Sequence, residues 1–204
     1  MSIPSNILTT VSTNAKSAIG LTMLLIVFSL GQCTRSNEMA PTLPKGSWTW
    51  PSQQSNYQTG DVVWVRDPID QSTQHPMRIL ATEGDTIQYL NDGFLLNGRR
   101  ISALDMREWN ETSRVWKETF YPSSDENEAL SWEIVQSNSN SNWKSTKETI
   151  PKGHVYLACD NRYHCVDSRW WGPVPTSMVT GKISVGMCPF CKVGLNNRGF
   201  VLYY

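Results

Sequence analysis

Residues Met77–Ser102 read MRILATEGDTIQYLNDGFLLNGRRIS, a series of short apolar runs separated by turn residues. Asn-Asp-Gly at 91–93 and Asn-Gly at 97–98 lie between these runs. Because Asn, Asp and Gly tolerate a positive φ, such pairs between apolar runs are the strongest short-range signal for β-hairpins. The stretch therefore predicts consecutive antiparallel strands, at 77–81, 86–90, 94–96 and 99–102.

The same pattern continues on both sides of this stretch. Asp61–Arg66 (DVVWVR), His154–Ala158 and Val179–Val185 are further short apolar runs that indicate strands. From residue 35 onward no segment keeps a 3.6-residue apolar period for long, which argues against helices. We therefore expect a mainly β fold, with an antiparallel β domain formed by residues 35–103 and 150–204.

Residues 104–149 differ in character and form a variable insert. Acidic and Ser/Asn stretches dominate, including SNSNSN at 137–142, and four tryptophans are spread among them. A Ser/Asn tract lacks the apolar area that offsets the entropy of ordering, so it predicts a flexible loop. The tryptophans predict that other parts of the insert pack, either on the domain itself or on a partner.

One segment near the N-terminus suits a membrane. Ser17–Cys33 carries no formal charge, and Lys16 and Arg35 flank it. A helix of about 17 residues is roughly 26 Å long, slightly short of a ~30 Å hydrocarbon core, and flanking basic side chains can reach the headgroups. A cleaved secretory signal is the alternative, but no A-x-A site follows. We expect a retained transmembrane helix at 17–34 after a polar tail at 1–16, which is at most a weak mitochondrial targeting signal.

The charge balance excludes one class of partner. Lys and Arg number 18, as do Asp and Glu, so the formal net charge is zero. Proteins that bind nucleic acid normally show a basic surplus. We therefore expect no nucleic-acid partner.

Four short blocks follow the predicted helix. They are Glu38–Leu43 (EMAPTL), Gly60–Val63 (GDVV), Met77–Asp85 (MRILATEGD) and Cys159–Val174 (CDNRYHCVDSRWWGPV). In this order they resemble the type I signal peptidase family, peptidase S26. The details ATEGD at 81–85 and IPKGH at 150–154 are most similar to the mitochondrial inner membrane protease subunits. The resemblance covers roughly residues 17–103 and 150–190 and leaves the insert unmatched.

The resemblance implies a mostly β catalytic domain that an N-terminal helix holds at the membrane, where it removes presequences after small residues. It also implies a serine nucleophile and a lysine general base. A serine hydroxyl needs a group that takes its proton. A lysine can do so only as the neutral amine, which requires desolvation.

This sequence departs from the family at both chemical positions. The nucleophile directly precedes Met-x-Pro-Thr-Leu, where this chain has Glu38, and the base directly precedes the Arg of the third block, where it has Met77. A serine that orients the lysine corresponds to Cys165. We expect Glu38 to be exposed or paired, with Arg78 or solvent compensating its charge, and Met77 to fill apolar space.

The residues that keep the family pattern have structural interpretations. Proline restricts the backbone, glycines suit turns, and the charged residues of the fourth block can brace a loop with charge-assisted hydrogen bonds. The retained structural motif comprises Met39, Pro41, Gly60, Asp61, Arg78, Gly84, Asp85, Asp160, Asn161, Arg162, Asp167, Ser168, Arg169 and Gly172.

Ser36 and His75 are the residues that could rescue catalysis. Ser36 lies two residues before Glu38, about 6–7 Å away in an extended chain, whereas attack needs about 3 Å. His75 lies two residues before Met77 and would share its strand face, although Pro76 argues against a strand there. The pair is therefore a minor alternative to loss of activity.

The cysteines offer a second chemistry. Cys159, Cys165, Cys188 and Cys191 could supply four thiolates to zinc, but five residues between the first two is not a usual zinc spacing. They could instead form a disulfide in an oxidising compartment or remain free, buried thiols. A thiol nucleophile at Cys165 beside His164 is disfavoured because adjacent strand residues face opposite sides. We expect no cofactor.

Together these observations favour a catalytically inactive signal-peptidase-like membrane protein. It would be a structural or accessory subunit of a mitochondrial inner membrane complex, with the β domain in the intermembrane space. The expected partners are the lipid bilayer and other membrane protein subunits, which could include an active paralogue. The alternative functions are an active membrane-bound serine endopeptidase that removes presequences, and a zinc or redox module on the C-terminal cysteines.

Overall fold

The computed structural model describes residues 31–91, 93–122, 126–137, 145–163, 165–187 and 201–202. The chain divides into two units, residues 1–32 and 33–204. The strands in the described ranges are β1 (Gln32–Cys33), β2 (Trp48–Ser52), β3 (Val62–Arg66), β4 (Gln74–Thr82), β5 (Thr86–Leu90), β6 (Gly93–Leu96), β7 (Arg99–Arg100), β8 (Ser102–Asn110), β9 (Ser113–Phe120), β10 (Leu130–Ser137), β11 (Glu148–Thr149), β12 (His154–Ala158), β13 (Val174–Pro175), β14 (Val179–Met187) and β15 (Val201–Leu202). One short α-helix, α1 (Ser168–Trp171), and two 3-10 helices, Glu126–Glu128 and Thr176–Met178, complete the described elements.

The largest sheet has the order β1-β2-β14-β3-β4-β12-β13, and β15 pairs with β14. Its central hairpin pairs β3 with β4 antiparallel, with Val63 opposite Met77 and Val65 opposite His75. β4 runs through Pro76, so the expectation that this proline excludes a strand was wrong. The proline is tolerated because β12 pairs with β4 only from Arg78 to Thr82, which leaves Pro76 with one neighbouring strand.

Two hydrophobic cores lie on opposite faces of β12. Val155 and Leu157 belong to the first core, whereas Tyr156 and Ala158 belong to the second. Successive side chains of a strand point to opposite faces, so one uninterrupted apolar run supplies both cores. The short apolar runs of the sequence are therefore buried strands, and the prediction of a mainly β antiparallel fold is confirmed.

A four-stranded sheet, β11-β5-β6-β7, contains the hairpins that the sequence predicts. Leu96 pairs with Arg99, and Asn97 and Gly98 between them have φ values of 54° and 77°. This is the left-handed conformation that Asn-Gly favours. The strand expected at 99–102 is shorter, because β7 ends at Arg100 and the next strand begins at Ser102.

The insert contributes a three-stranded antiparallel sheet with the order β10-β9-β8, which the sequence analysis did not predict. Trp132 is 6% exposed and belongs to the second core, and Trp116 packs against that core. The expectation that tryptophans of the insert pack on the domain is met by these two residues. The Ser/Asn tract lies, apart from its first residue, outside the described residues.

In the described ranges, no helix has the length and apolar character needed to cross a bilayer. The tail at 1–16 and most of the predicted helix at 17–34 lie outside those ranges. The predicted helix extends too far at its C-terminal end, because Gln32–Cys33 form β1.

Candidate functional site

The segment with the family's nucleophile position is a tight turn packed into the domain. The Leu43 N–H donates to the Met39 carbonyl at 2.7 Å, and the Ala40–Pro41 peptide bond is cis. The backbone N–H of Asn161 donates to the Glu38 carbonyl at 2.8 Å. These bonds fix the backbone at Glu38 beside the fourth sequence block.

The Glu38 carboxylate is paired, but not with the expected residue. Its Oε2 lies 3.0 Å from His75 Nδ1, and the Ser36 hydroxyl also hydrogen-bonds to it. Burial alone would raise the pKa of Glu38, but the hydrogen bond and charge of His75 and the bond to Ser36 together lower it. Glu38 is therefore paired, as expected, but of the two expected sources of compensation, Arg78 and solvent, Arg78 does not contribute because it pairs with Asp160.

His75 lies between two carboxylates. Its Nδ1 faces Glu38, while its Nε2 is 3.6 Å from Asp67 Oδ2 and 3.4 Å from Thr73 Oγ1. The hydrogen bond with Glu38 raises the pKa of His75; burial opposes this, and the charges of Glu38, Asp67 and Asp70 add to it. These contacts stabilise the imidazolium, which has no lone pair to accept a proton from a hydroxyl.

Asp67 and Thr73 belong to none of the sequence motifs. They lie at the two ends of the loop that joins β3 to β4, and the Asp67 N–H donates to the Thr73 carbonyl at 3.1 Å. Since Arg66 pairs with Gln74, the hairpin brings both residues beside His75. The sequence signal for this contact is the short loop between β3 and β4. It can be used only if β4 starts at Gln74, which the sequence does not indicate.

Met77, which the resemblance assigns to the family's base position, lies in the hydrophobic core. It is 1% exposed and belongs to the first core together with Met39 and Leu43. A thioether has no proton-accepting ability comparable to an amine, and its role here is to fill apolar space.

Arg78, the next residue, lies in the third sequence block and bonds to residues of the other three, Thr42, Gly60 and Asp160. Its Nε and Nη2 donate to the two carboxylate oxygens of Asp160 at 2.8 and 2.6 Å, and its Nη1 donates to the Gly60 carbonyl at 2.7 Å. The Thr42 hydroxyl donates to the same Asp160 carboxylate. Asp160 is fully buried and Arg78 nearly so, as a charge-assisted bidentate pair allows.

A second buried ion pair connects the fourth block to the insert. Arg162 Nη2 lies 2.6 Å from Glu118 Oε2, and the side chains are 4% and 3% exposed. The Trp132 indole N–H donates to the same oxygen at 2.6 Å, and the Arg162 N–H donates to the Val135 carbonyl at 2.9 Å. Glu118 lies in the insert, which the family resemblance did not cover, so sequence analysis could not assign it.

Asp167 braces the rest of the fourth block. It pairs with Arg169 at 2.8 Å, accepts the Cys159 N–H at 3.1 Å, and caps the start of α1. The Ser168 hydroxyl accepts a backbone N–H of β12 at 3.0 Å, and Gly172, with φ of +74°, ends the helix. The expected bracing role of these residues therefore has a direct structural counterpart.

The two Gly-Asp pairs of the motif form turns that flank β3 and β4. Gly60 and Gly84 have φ values of +95° and +85°, which a residue with a side chain rarely adopts. Asp61 pairs with Lys182 at 2.7 Å, and Asp85 accepts the Thr82 N–H at 2.8 Å.

Cys159 and Cys165 form a disulfide. Cys165, which the resemblance assigns to the family's orienting position, is therefore one end of a covalent cross-link, and neither sulfur is available as a thiolate for the four-cysteine zinc site. Cys188, Cys191 and His164 lie outside the described residues.

A cavity of about 660 Å³ opens beside these groups. Its lining includes Glu38, Asp67 and His75 together with residues of the fourth block, namely Arg162, Tyr163, Cys165, Val166, Arg169, Trp170 and Trp171. Of the two positions that the resemblance assigns to the family's chemistry, Glu38 lines this cavity and Met77 does not.

Comparison with known proteins places the chain in a family. Residues 8–188 match the family model described as signal peptidase, peptidase S26. Because this range is most of the 204 residues, the protein belongs to the peptidase S26 family of signal peptidases.

Several relatives are subunits of mitochondrial proteases. The chain is 28% identical over 130 residues to the mitochondrial ATP-independent inner membrane protease subunit 1a of Arabidopsis thaliana, which is 64% of this chain and 50% of that protein. It is 49% identical over 43 residues to the mitochondrial inner membrane protease subunit 1 of Schizosaccharomyces pombe, which is 21% of this chain and 27% of that protein. To the signal peptidase I of Pseudomonas fluorescens it is 27% identical over 142 residues, 61% of this chain and 47% of that protein. The chain thus spans half or less of the length of these relatives.

Among solved structures, the chain matches a signal peptidase I of Enterococcus faecalis V583 with 21% identity and a TM-score of 0.41. The match covers 64% of this chain and 98% of the other.

Proposed function

We propose that this protein is a catalytically inactive S26 family member that acts as a structural or accessory subunit of a mitochondrial inner membrane complex. The observation that carries the proposal is the packing at the two chemical positions. Glu38 is hydrogen-bonded to His75, and Met77 is 1% exposed in the first core. A carboxylate held by an imidazole and a buried thioether supply neither the attacking hydroxyl nor the neutral amine that the family's chemistry needs.

The rest of the domain supports a role in binding rather than cleavage. The Arg78–Asp160 and Arg162–Glu118 pairs keep the scaffold of the family together without the dyad. Several relatives are named as subunits of a mitochondrial inner membrane protease, which supports a place beside other subunits, an active paralogue included. The Cys159–Cys165 disulfide fits an oxidising compartment such as the intermembrane space.

In this proposal the segment predicted as a helix at 17–34, without the residues from Gln32 onward that begin the sheet, anchors the protein as a single span. Residues 35–103 and 150–204 make the β domain outside the bilayer, and the 104–149 insert extends it. The lipid bilayer is then a partner together with the other subunits.

The test combines an activity assay with an assay of assembly. Full-length protein in mild detergent is incubated with a presequence peptide and analysed by mass spectrometry, while mild crosslinking in mitochondria reports its partners. We expect no cleavage and crosslinks to other membrane subunits. Cleavage by the pure protein, or a solitary monomer under every condition, would contradict the proposal.

The alternative of an active endopeptidase has one supporting observation. Ser36 and His75 both hydrogen-bond to Glu38, which gathers a hydroxyl and an imidazole at one carboxylate. Activity that disappears in both Ser36→Ala and His75→Gln variants, and persists in an Asp105→Asn surface control, would establish this alternative.

A further inference from the structure

The two edges of the three-stranded insert sheet differ in what covers them. At the β10 edge the Val135 N–H donates to the Asp160 carbonyl at 2.8 Å, and the Arg162 N–H donates to the Val135 carbonyl at 2.9 Å. At the other edge, β8 pairs with β9 and with no other strand of the described ranges. Unpaired N–H and C=O groups of an edge strand are a template for a further strand. β8 is therefore the open edge of this sheet.

The first half of β8 lacks the features that usually protect such an edge. Residues 102–106 contain neither proline nor lysine, and Asp105 is their only charged residue. Leu104 and Met106 are 65% and 46% exposed. The ladder with β9 is regular up to Asp105, and its first register shift lies between Asp105 and Arg107. A bulge interrupts regular pairing, so it confines a further strand to the residues before Arg107.

The side chains of this segment alternate between the two faces of the sheet. Asp105 is opposite Trp116, which packs against the second core, whereas Leu104 is opposite the exposed Lys117. Since residues two apart share a face, Met106 lies with Leu104 on the outer face. Directly opposed residues of an antiparallel pair also share a face. Two copies of one strand meet this condition when a residue opposes its own counterpart across a two-fold axis.

A register centred on Leu104 suits a second copy of the strand. Leu104 then opposes its own counterpart, and Ala103 opposes Asp105. Ser102 opposes Met106, so each copy contributes five residues, a usual length for a strand. On the outer face, the leucines and methionines of both copies form one apolar cluster, and no charge opposes a like charge.

Neighbouring registers are less suitable. A register centred on Asp105 places two carboxylates directly opposite one another, which is destabilising. One centred on Ala103 can extend to five residues only through Ile101, which is 2% exposed and whose N–H already donates to the Phe94 carbonyl at 2.9 Å. One centred on Met106 crosses the bulge. The edge therefore favours a single register.

The residues that flank the segment are complementary in charge. Arg99–Arg100 precede it and are exposed, whereas Glu108 and Glu111 follow it and are exposed. Arg107, on the acidic side, is already paired with Glu133. Antiparallel pairing brings the basic flank of each copy towards the acidic flank of the other, and the two-fold axis makes this contact occur twice. This charge complementarity favours a second copy of the chain as the occupant.

We propose that β8 is a docking surface for a second copy of this chain, which adds its own β8 antiparallel with Leu104 opposite Leu104. The two insert sheets then form one six-stranded sheet. The inference goes beyond the proposed function, because neither Glu38 nor Met77 takes part in it. A pairing of this length makes a small interface, so we expect a weak dimer with a Kd of about 10–100 µM.

Disulfide crosslinking tests the docking surface. The full chain in mild detergent, with Cys33, Cys188 and Cys191 replaced by serine, receives one new cysteine and is treated with a mild oxidant. Leu104→Cys should give a covalent dimer, because directly opposed strand residues lie within the distance limit of a disulfide. Lys117→Cys is the matched control, since Lys117 is exposed and lies opposite Leu104 on β9. Its two copies would be three strand spacings apart, roughly 14 Å, so it should give at least about tenfold less dimer.

A mixing experiment tests the register. Ala103 and Asp105 oppose each other in the proposed dimer, whereas neither opposes its own counterpart. A mixture of the Ala103→Cys and Asp105→Cys proteins should therefore form a covalent dimer, and each variant alone should form little. Efficient crosslinking of either variant alone would contradict the proposed register.

Sedimentation equilibrium in mild detergent tests association without crosslinks. The wild type should dimerise in the expected concentration range, and Leu104→Lys should stay monomeric because it places two ammonium groups opposite one another. Leu104→Val, which keeps an apolar side chain suited to strands, should still dimerise. Because Leu104 is 65% exposed, both variants should unfold at nearly the wild-type temperature, which shows that they fold.

Equal crosslinking of Leu104→Cys and Lys117→Cys, or a wild type that stays monomeric throughout that range, would overturn the proposal. Dimers of Leu104→Lys would also overturn it, because association would then use another surface. A chain that crosslinks to other membrane subunits but not to itself contradicts this inference alone. A dimer that cleaves a presequence peptide contradicts the proposed function alone.

Discussion

Two clusters of charged residues lie a few residues apart along β4 and differ in almost every respect. Arg78 and its partner Asp160 are buried and bidentate, whereas His75 and its partner Glu38 are 27% and 20% exposed at the edge of a cavity. The first cluster joins the sequence blocks, and the second includes Glu38, the position that the resemblance assigns to the family's nucleophile. The difference teaches that separate residues hold the scaffold and the rim of the cavity, so that, under the proposed function, the first can persist while the second changes.

The largest effect is expected when one partner of the buried Arg78–Asp160 pair is removed. Arg78→Met leaves Asp160 buried without a counter-charge and should lower the free energy of unfolding by about 3–5 kcal/mol. Urea denaturation of the full chain measures the loss. The control is Arg107→Met, whose partner Glu133 is 38% exposed, and it should cost less than about 1 kcal/mol. Similar losses in both variants would show that the buried cluster is not special.

Restoring the family's base residue should be the next most costly change. Met77→Lys places an ammonium group among core side chains without a partner and should destabilise the domain by about 3 kcal/mol. Met77→Leu conserves volume and polarity, so it should cost less than about 1.5 kcal/mol. Thermal melts of the pair give the comparison, and a well-tolerated lysine would mean that the base pocket remains intact.

Opening the disulfide tests how much the fourth block depends on its cross-link. The Cys159→Ser/Cys165→Ser double variant frees a short loop and should lose about 2 kcal/mol by the chain-entropy model. A reducing agent should bring the wild type to the stability of this variant and leave the variant itself unchanged. A variant as stable as the wild type would show that the ion pairs alone hold the block.

The Glu38–His75 pair should affect mainly the pH dependence of the protein's stability. His75 has a raised pKa, so its stabilisation is complete below about pH 6.5, its usual value in the unfolded chain, and is lost as the pH rises through the folded value. The lowered pKa of Glu38 makes its contribution present above about pH 4.5 and lost as the pH falls through the folded value. Since both groups are partly exposed, the effect should stay below about 1 kcal/mol.

Urea midpoints of wild type and His75→Gln between pH 5 and 9 measure this small effect. The variant should lack the decline of the wild type above neutral pH. Parallel curves for the two proteins would mean that Glu38 does not hold His75 in its charged form.

The sequence predicted the elements whose signals are local. Asn97-Gly98 marked a hairpin, and uninterrupted apolar runs such as His154–Ala158 marked strands buried on both faces. The bracing charges of the fourth block were also predictable, because charged residues in a loop between strands need partners. Their partners were not all predictable, since Glu118 lies in an insert that no motif covers.

The strands of the insert escaped prediction because they are polar on one face. Every residue of β8 is exposed. In β9 the polar residues Lys117 and Thr119 lie among apolar residues. The Ser/Asn composition nearby masks the alternation in SRVWKETF at 113–120, which is itself a strand signal. The strand at His75 escaped prediction for another reason: a proline beside it suggested a break, but a strand position with a single neighbour accepts proline.

The Arg162–Glu118 pair has a practical consequence for anyone who wishes to trim this protein. A shortened version that deletes residues 102–137 would remove Glu118, the only carboxylate among the described residues that is bonded to the Arg162 guanidinium. It would also remove Trp132, which belongs to the second core. The stretch without family resemblance thus supports the part of the fold that has it, and a minimal domain would have to replace both charge and ring to stay folded.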